Sequence, residues 1–350
     1  MTFSGLLRTR GMQVLTGPLL TVVLLAGIPQ AHAGQAPAPD PYANVEIEVI
    51  PVKGNVYMLV GAGGNVTVQA GPDGVMVVDT MFAPLGDKLL AAIKSISGSP
   101  IRYVVNTHMH ADHTGGNLGI ARAGRALAGA NMGALNPLAG ARAQIIAHEN
   151  VVQRMSTDQQ GQPAVDPDLW PTMSYFIGNK EVHLNDEPVI LIHMPAAHTD
   201  GDSIVFFRRS DVVSTGDVFT TTRYPFIDAA NGGSVQGIIA ALNRILDLVI
   251  SKSATEGGTL VIPGHGRLSD ELDVLEYRDM VVIIAERIRR MVEKGMTLEQ
   301  IVAAKPTLDY DPRFGAESGF WTTRQFIEAV HRDVQRAPVH QYPLAPGGER

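Results

Sequence analysis

Three imidazoles and a carboxylate, His108, His110, Asp112 and His113, fall within six positions of the run Asn106-Thr107-His108-Met109-His110-Ala111-Asp112-His113-Thr114-Gly115-Gly116, directly after the apolar stretch Tyr103-Val104-Val105. An isolated histidine is usually a satisfied structural residue, but a cluster of this density reverses that expectation. The chain has no cysteine, and imidazole and carboxylate are the ligands that a borderline ion such as zinc accepts where thiolate is missing. Three further candidates follow short apolar runs in the same way: His198 after 189–192, Asp217 after Val212-Val213, and His265 after Leu260-Val261-Ile262. Ligands of open α/β sheets gather beyond the carboxyl ends of strands. Four separate loops are therefore expected to converge on one place.

The surrounding pattern supplies those strands. From Val45 to Val78 the apolar residues recur with period two, over 45–49, 56–60, 66–68 and 75–78, and are punctuated by glycine-rich turns. Leu89, Ile93 and Ile96 fall at helical spacing, and 103–105, 145–146, 189–192, 204–207, 212–213 and 260–262 read as short strands. Val235, Ile238, Leu242, Ile245 and Val249 form an amphipathic stripe with Ser234 placed as its cap. A longer stripe, Val274 to Met291, opens at Ser269 and stops at Gly295. Thr297-Leu298-Glu299-Gln300 is a capping box, and Ile327, Val330 and Val334 mark a last helix. Strands followed by alternating helices and strands predict α/β layers, with helices over the faces of sheets. Residues 119–141, rich in Gly and Ala with little periodicity, read as a long loop or weakly helical insertion.

Arg8 and Arg10, the apolar run Val14 to Ile28 and Ala31-His32-Ala33 make the first 33 residues a secretory signal, too short for a membrane helix of about 20 apolar residues. Its removal leaves 26 basic against 35 acidic groups, a charge of -9, in a periplasmic or secreted chain with no stable membrane anchor. Residues 34–44 read as a flexible leader, 45–296 as the main domain, 297–336 as a C-terminal helical extension packed on it, and 337–350 as a loose tail. No Lys/Arg block is present to release counterions from a nucleic acid, so the expected partner is a small-molecule substrate. The lack of cysteine also excludes disulfides and a Cys nucleophile.

Thr107-His108-x-His110-x-Asp112-His113, with Asp79 upstream after the strand 75–78 and His198, Asp217 and Gly264-His265-Gly266 downstream, resembles the metallo-β-lactamase-fold hydrolase superfamily over residues 45–290. The resemblance implies a four-layer αββα sandwich with two zinc ions at one edge. By position, His108, His110 and His198 would hold one ion, and Asp112, His113 and His265 the second. Asp217 would bridge them, and Asp79 would orient the ligand loop. An Asp at that fourth motif is similar to glyoxalase II-type thioesterases and lactonases. The absence of cysteine excludes lactamases that use a Cys ligand.

Seven candidate groups exceed the needs of one tetrahedral zinc, so two ions are expected. A hydroxide shared between them would open a lactam, lactone, ester or thioester carbonyl, with β-lactamase-like activity included. Asp112 reads both as a ligand and as a proton acceptor or relay. Tyr224 reads equally as a phenol donor to an oxyanion or as a ring packed beside Pro225. A flavodiiron-like redox protein or a phosphodiesterase on the same scaffold are the alternatives; the first normally needs a flavin-binding domain for which the chain has little room. His148 is expected at a helix start, or behind the ligands, rather than at a third metal. His183, His193, His331 and His340 are read as non-functional. Trp170 and Tyr175 read either as pocket walls or as satellite core.

Overall fold

The period-two stretch folds as an antiparallel meander of β1 (Glu48–Lys53), β2 (Val56–Val60), β3 (Val66–Gly71) and β4 (Gly74–Val78). In the computed structural model, residues 40–127, 142–157, 164–255 and 257–336 are described. The export segment, the leader up to residue 39, residues 128–141 of the expected insertion and the tail lie outside the described residues. The described residues from Pro41 onward belong to one unit.

After β4 come α1 (Gly86–Ile96), β5 (Ile101–Val105), α2 (Ala111–Thr114), α3 (Asn117–Ala123), β6 (Gln144–His148), α4 (Glu149–Ser156) and β7 (Met173–Tyr175). Strands β5, β6 and β7 add in parallel, completing a seven-stranded sheet in chain order. The second sheet begins with β8 (Asn179–Leu184), β9 (Glu187–Met194), β10 (Asp202–Phe207) and β11 (Val212–Ser214), paired antiparallel one to the next in that order. Helix α5 (Val235–Leu248) then crosses to β12 (Leu260–Ile262), parallel to β11, and β13 (Ser269–Asp270) closes the six-stranded edge. The chain ends in α6 (Glu271–Glu293), α7 (Leu298–Ala303), α8 (Asp311–Phe314) and α9 (Thr323–Arg336).

Three apolar clusters define the layers. Val56, Met58, Met76, Val78 and Ile146 of the first sheet meet Leu191, Val205, Phe207 and Ile262 of the second between the sheets. Leu89 and Ile93 of α1 and Ile120 of α3 cover the outer face of the first sheet, against Val66, Val68, Val75 and Val77. Ile238 and Leu242 of α5, Val281 and Ile284 of α6, and Phe326 and Val330 of α9 cover the second. The expected αββα sandwich is thus the observed fold, with helices burying the outward apolar face of each sheet. Among the described residues, no helix is long and apolar enough to cross a membrane.

Polar ties cross between the sheets at the ligand end. The Asn65 amide donates to the carbonyls of Pro263 (2.9 Å) and Gly266 (3.0 Å), its backbone N–H to Gly264 (2.7 Å), and the Ser203 N–H to Thr107 (2.8 Å). Thr67 Oγ1 donates to Ser214 Oγ (3.0 Å).

Several details differ from the sequence reading. The first strand begins at Glu48 rather than Val45, because the Lys88 ammonium of α1 takes the carbonyls of Tyr42, Ala43 and Val45. The strand-like run around His183 is borne out as β8, whose bounds its exposed or half-exposed Lys180, Glu181 and His183 leave faint in the sequence. Residues 117–123 are helical, burying Ile120 and Ala121, in keeping with the helical one of the two readings of 119–141. Ser269 pairs with Val261, and the long helix is capped one residue later by Asp270.

Candidate metal centre

Each candidate ligand sits just past a strand. His108, His110, Asp112 and His113 follow β5 and lead into α2; His198 lies between β9 and β10; Asp217 follows β11; His265 follows β12. The structure brings all seven together. Ligand atoms of His108, His110 and His198 lie within 4.8 Å of one another, as do those of His108, His113 and Asp217, and those of Asp112, His113 and His265.

The loops are held by buried polar groups. Asp79, on positive φ (62°) after β4, accepts from the Thr107 N–H (2.8 Å) and Thr107 Oγ1 (2.7 Å), and its Oδ2 lies 2.7 Å from His113 Nδ1. Asn106 and Asn117 exchange side-chain amide bonds at 2.8–2.9 Å and fix the start of the histidine loop. Asp202 accepts from the N–H and hydroxyl of Thr199, next to His198; burial pushes its carboxyl up to about 8, against the opposing pull of those bonds. Two glycines make room for the ligands. A Cβ on Gly64 would stand 2.3 Å from the His113 ring, and one on Gly264 would stand 2.1 Å from Asp217 Oδ1.

Outer partners also fix the tautomers. His113 Nδ1 donates to Asp79, His198 Nδ1 to the Phe226 carbonyl (2.7 Å), and His110 Nε2 to Asp228 Oδ2 (2.9 Å). His108 Nδ1 lies 3.0 Å from Thr107 Oγ1, whose own proton is given to Asp79, so this nitrogen too is the donor. The inner nitrogens are then left with lone pairs. His198 Nε2 and His110 Nδ1 face each other at 2.9 Å. His108 Nε2, His113 Nε2, His265 Nε2 and Asp217 Oδ1 are buried with no hydrogen-bond partner. Asp217 Oδ1 lies 3.2 Å from His113 Nε2 and 3.3 Å from His265 Nε2, within ion-pair range but without hydrogen-bond geometry. Buried polar atoms are costly to leave unpaired, and a cation among them satisfies all at once. The donor set fits divalent metal.

Charge is polarised across the centre. Burial, followed by the neighbouring imidazoles His113, His198 and His110, drives His108 well below the ordinary histidine range. Burial likewise lowers His198 to about 4. For His113 and His265 burial acts downward too but is outweighed by Asp217, so both are raised. Burial pushes the Asp112 and Asp217 carboxyls up, yet the imidazoles of His265 and His113 hold Asp112 at about 2 and Asp217 well below the carboxylate range. The carboxylates stay ionised and His108 and His198 stay neutral, which suits ligation, whereas His113 and His265 would give up to a cation the proton that Asp217 favours on them.

Tyr224 is not at the centre. It is buried, its ring stacks on Phe326 at 4.7 Å, and its hydroxyl donates to Asp311 Oδ1 (2.8 Å) and lies 3.2 Å from the Thr307 carbonyl. The phenol-donor reading is corrected: the hydroxyl is spent on the C-terminal segment. Tyr175 belongs to the core between the sheets, with its hydroxyl on Ser203, and Trp170 packs on the small Ala147–Val151–Met155 cluster. His148 caps α4, accepting from the Asn150 N–H, and stacks on His193 at 3.5 Å. His183 lies exposed on β8 beside Glu181, His331 on α9, and His340 outside the described residues. Three neighbours of the centre escaped the sequence reading: Asp228, Phe226 and Arg223, whose guanidinium is 3.6 Å from Asp217 Oδ2. All three stand in the segment around Tyr224, but only the fold brings that segment back across more than a hundred positions to His110.

A two-sheet α/β sandwich with a His/Asp cluster at the strand ends defines a class of metal-dependent hydrolase folds. The sequence model of the metallo-beta-lactamase superfamily matches residues 59–265, and the chain belongs to that superfamily. No curated protein matches the chain. Among solved structures, a double mutant of the sec-alkylsulfatase PisA1 is similar with 16% identity and a TM-score of 0.58, over 86% of this chain and 51% of that one. The stereoselective inverting sec-alkylsulfatase Pisa1 from Pseudomonas sp. is similar with 16% identity and a TM-score of 0.56, over 82% and 50%. A metallo-beta-lactamase from Pontibacter korlensis shows 14% identity and a TM-score of 0.49, over 68% and 99%. The chain therefore spans half the length of the alkylsulfatases, and at these identities the likeness is one of fold.

Proposed function

We propose that the protein is an exported, zinc-dependent hydrolase that opens a lactam, lactone, ester or thioester carbonyl. The observation that carries this reading is the set of four buried, unpartnered ligand atoms on three imidazoles and Asp217, aimed at one place. His108, His110 and His198 would hold one ion and Asp112, His113 and His265 the other, with Asp217 between. Bound there, divalent ions polarise a carbonyl oxygen and bring the pKa of a coordinated water from 15.7 down to about 7. Asp112 is half-buried beside the fully buried His113, so its carboxylate meets both solvent and the centre and accepts the proton of the attacking water. Asp79 and Asp228 hold His113 and His110 in the tautomers that turn a lone pair inward. Arg223 balances the charge of Asp217 at the rim.

The test is elemental analysis of protein reconstituted with zinc, followed by a chromogenic panel of lactam, lactone, ester, thioester and secondary alkyl sulfate, with and without chelator. Two zinc ions per chain and chelator-sensitive turnover of a carbonyl substrate are expected. Metal near zero overturns the reading, and turnover of the sulfate alone overturns the carbonyl assignment.

A further inference from the structure

We propose that Phe320 and Trp321, backed by Phe226, form an apolar lip of the metal centre that takes the hydrocarbon part of the substrate. The substrate class is then a carbonyl compound with an alkyl or aryl group of several carbons, rather than a small polar one. This inference rests on the hydrolase reading for its chemistry.

Phe226 joins the two ends of the contact chain. Its carbonyl accepts from His198 Nδ1, and its ring lies 5.3 Å from the His198 ring and 5.8 Å from that of His110, stacked on the latter at 27°. The same ring meets Phe320 and Trp321, each at 4.8 Å and edge to face. The segment that carries these two rings is closed at its base, where the Thr323 N–H donates to the Ala316 carbonyl (2.9 Å) and the Ala316 N–H to Thr323 Oγ1 (3.0 Å). Trp321 Nε1 donates to the Pro225 carbonyl at 3.1 Å, which fastens the segment to the strip that carries Arg223 and Phe226.

Phe320 is nevertheless 69% exposed. Burying a phenyl ring is strongly favourable, so a pinned segment that holds one in water beside a catalytic centre has an occupant to gain. Other large apolar side chains are exposed, Phe176 and Leu308 among them. Phe320 differs because its ring partner touches two of the candidate ligands. Trp and Phe offer wide, stiff contact area with few torsions to freeze, which suits them to bind flexible hydrocarbon.

The experiment is isothermal titration of the zinc-loaded full chain with straight-chain carboxylates from acetate to octanoate, product-like probes whose head group can reach the metal. Affinity is expected to rise about two- to fourfold per methylene over the middle of the series. In Phe320→Ala, an exposed position where folding is not at stake, that steepness is expected to fall by at least half. Leu272→Ala, exposed at the start of α6 and away from the lip, should keep it. A flat series in the wild type, no detectable binding of any acid, or undiminished steepness in Phe320→Ala overturns the lip. Chain-length-dependent binding with no turnover of any panel substrate leaves the lip standing and removes the hydrolase reading; turnover without length dependence does the reverse.

Discussion

Asp79 shows how one side chain can govern another's chemistry without touching substrate. It sits at φ 62°, a conformation that costs a non-glycine residue energy, and its two carboxylate oxygens hold Thr107 and His113. Asp79→Asn keeps the shape but loses the charge that favours a proton on His113 Nδ1. Zinc affinity is expected to drop by about 10- to 100-fold, measured by chelator competition, while the unfolding midpoint of the chelator-treated protein moves little. Gly264→Ala acts by crowding: the new methyl displaces Asp217, so bound zinc should fall below two per chain, with a folding cost of about 1–3 kcal/mol. His148 sets a pH dependence elsewhere in the fold. Burial, then the adjacent His193, lowers it from 6.5 to about 4. The unfolded chain therefore binds a proton that the folded one refuses, so stability falls as pH drops from about 6.5 to about 4 and levels off below that. His148→Asn keeps a capping oxygen and should make that limb shallower in urea unfolding followed across pH, His198 and His108 supplying the rest of it.

At the level of elements, legibility tracked local physics. Helix α5 was readable because Ser234 caps it and its apolar stripe is unbroken, and the Ser234 Oγ does accept from the Gly237 N–H. The Thr297–Gln300 capping box was equally plain. Strand β8 is fainter: the run around His183 has strand character, but Lys, Glu and His exposed on an edge blur its bounds. The start of α6 was misplaced by one residue because Ser269 and Asp270 are both good caps, and only pairing with β12 decides between them. Asp270 accepts from the N–H groups of Leu272 and Asp273. Asp270→Ala should cost about 1 kcal/mol and Asp270→Asn much less, read as the shift in urea midpoint.

Across the whole molecule, the ligand motif is legible because four ligands crowd one loop, whereas its supports are not. Asp228 lies 118 residues from His110, and no local pattern pairs them. Tyr224 was ambiguous for the same reason: its hydroxyl goes to Asp311, in a helical segment whose return to the sheet no periodicity announces. Because the candidate ligands come from both sheets, metal binding should stabilise the fold by linkage, by about 2.7 kcal/mol at a free zinc concentration 100 times the Kd. A thermal midpoint indifferent to chelator would contradict that. Yet an ion would not be the sheets' only tie at this end. Asn65 already fastens the first to the 263–266 turn of the second with three hydrogen bonds. Part of the seam between the two halves is therefore written into the polypeptide itself, in an amide that no ion has to hold.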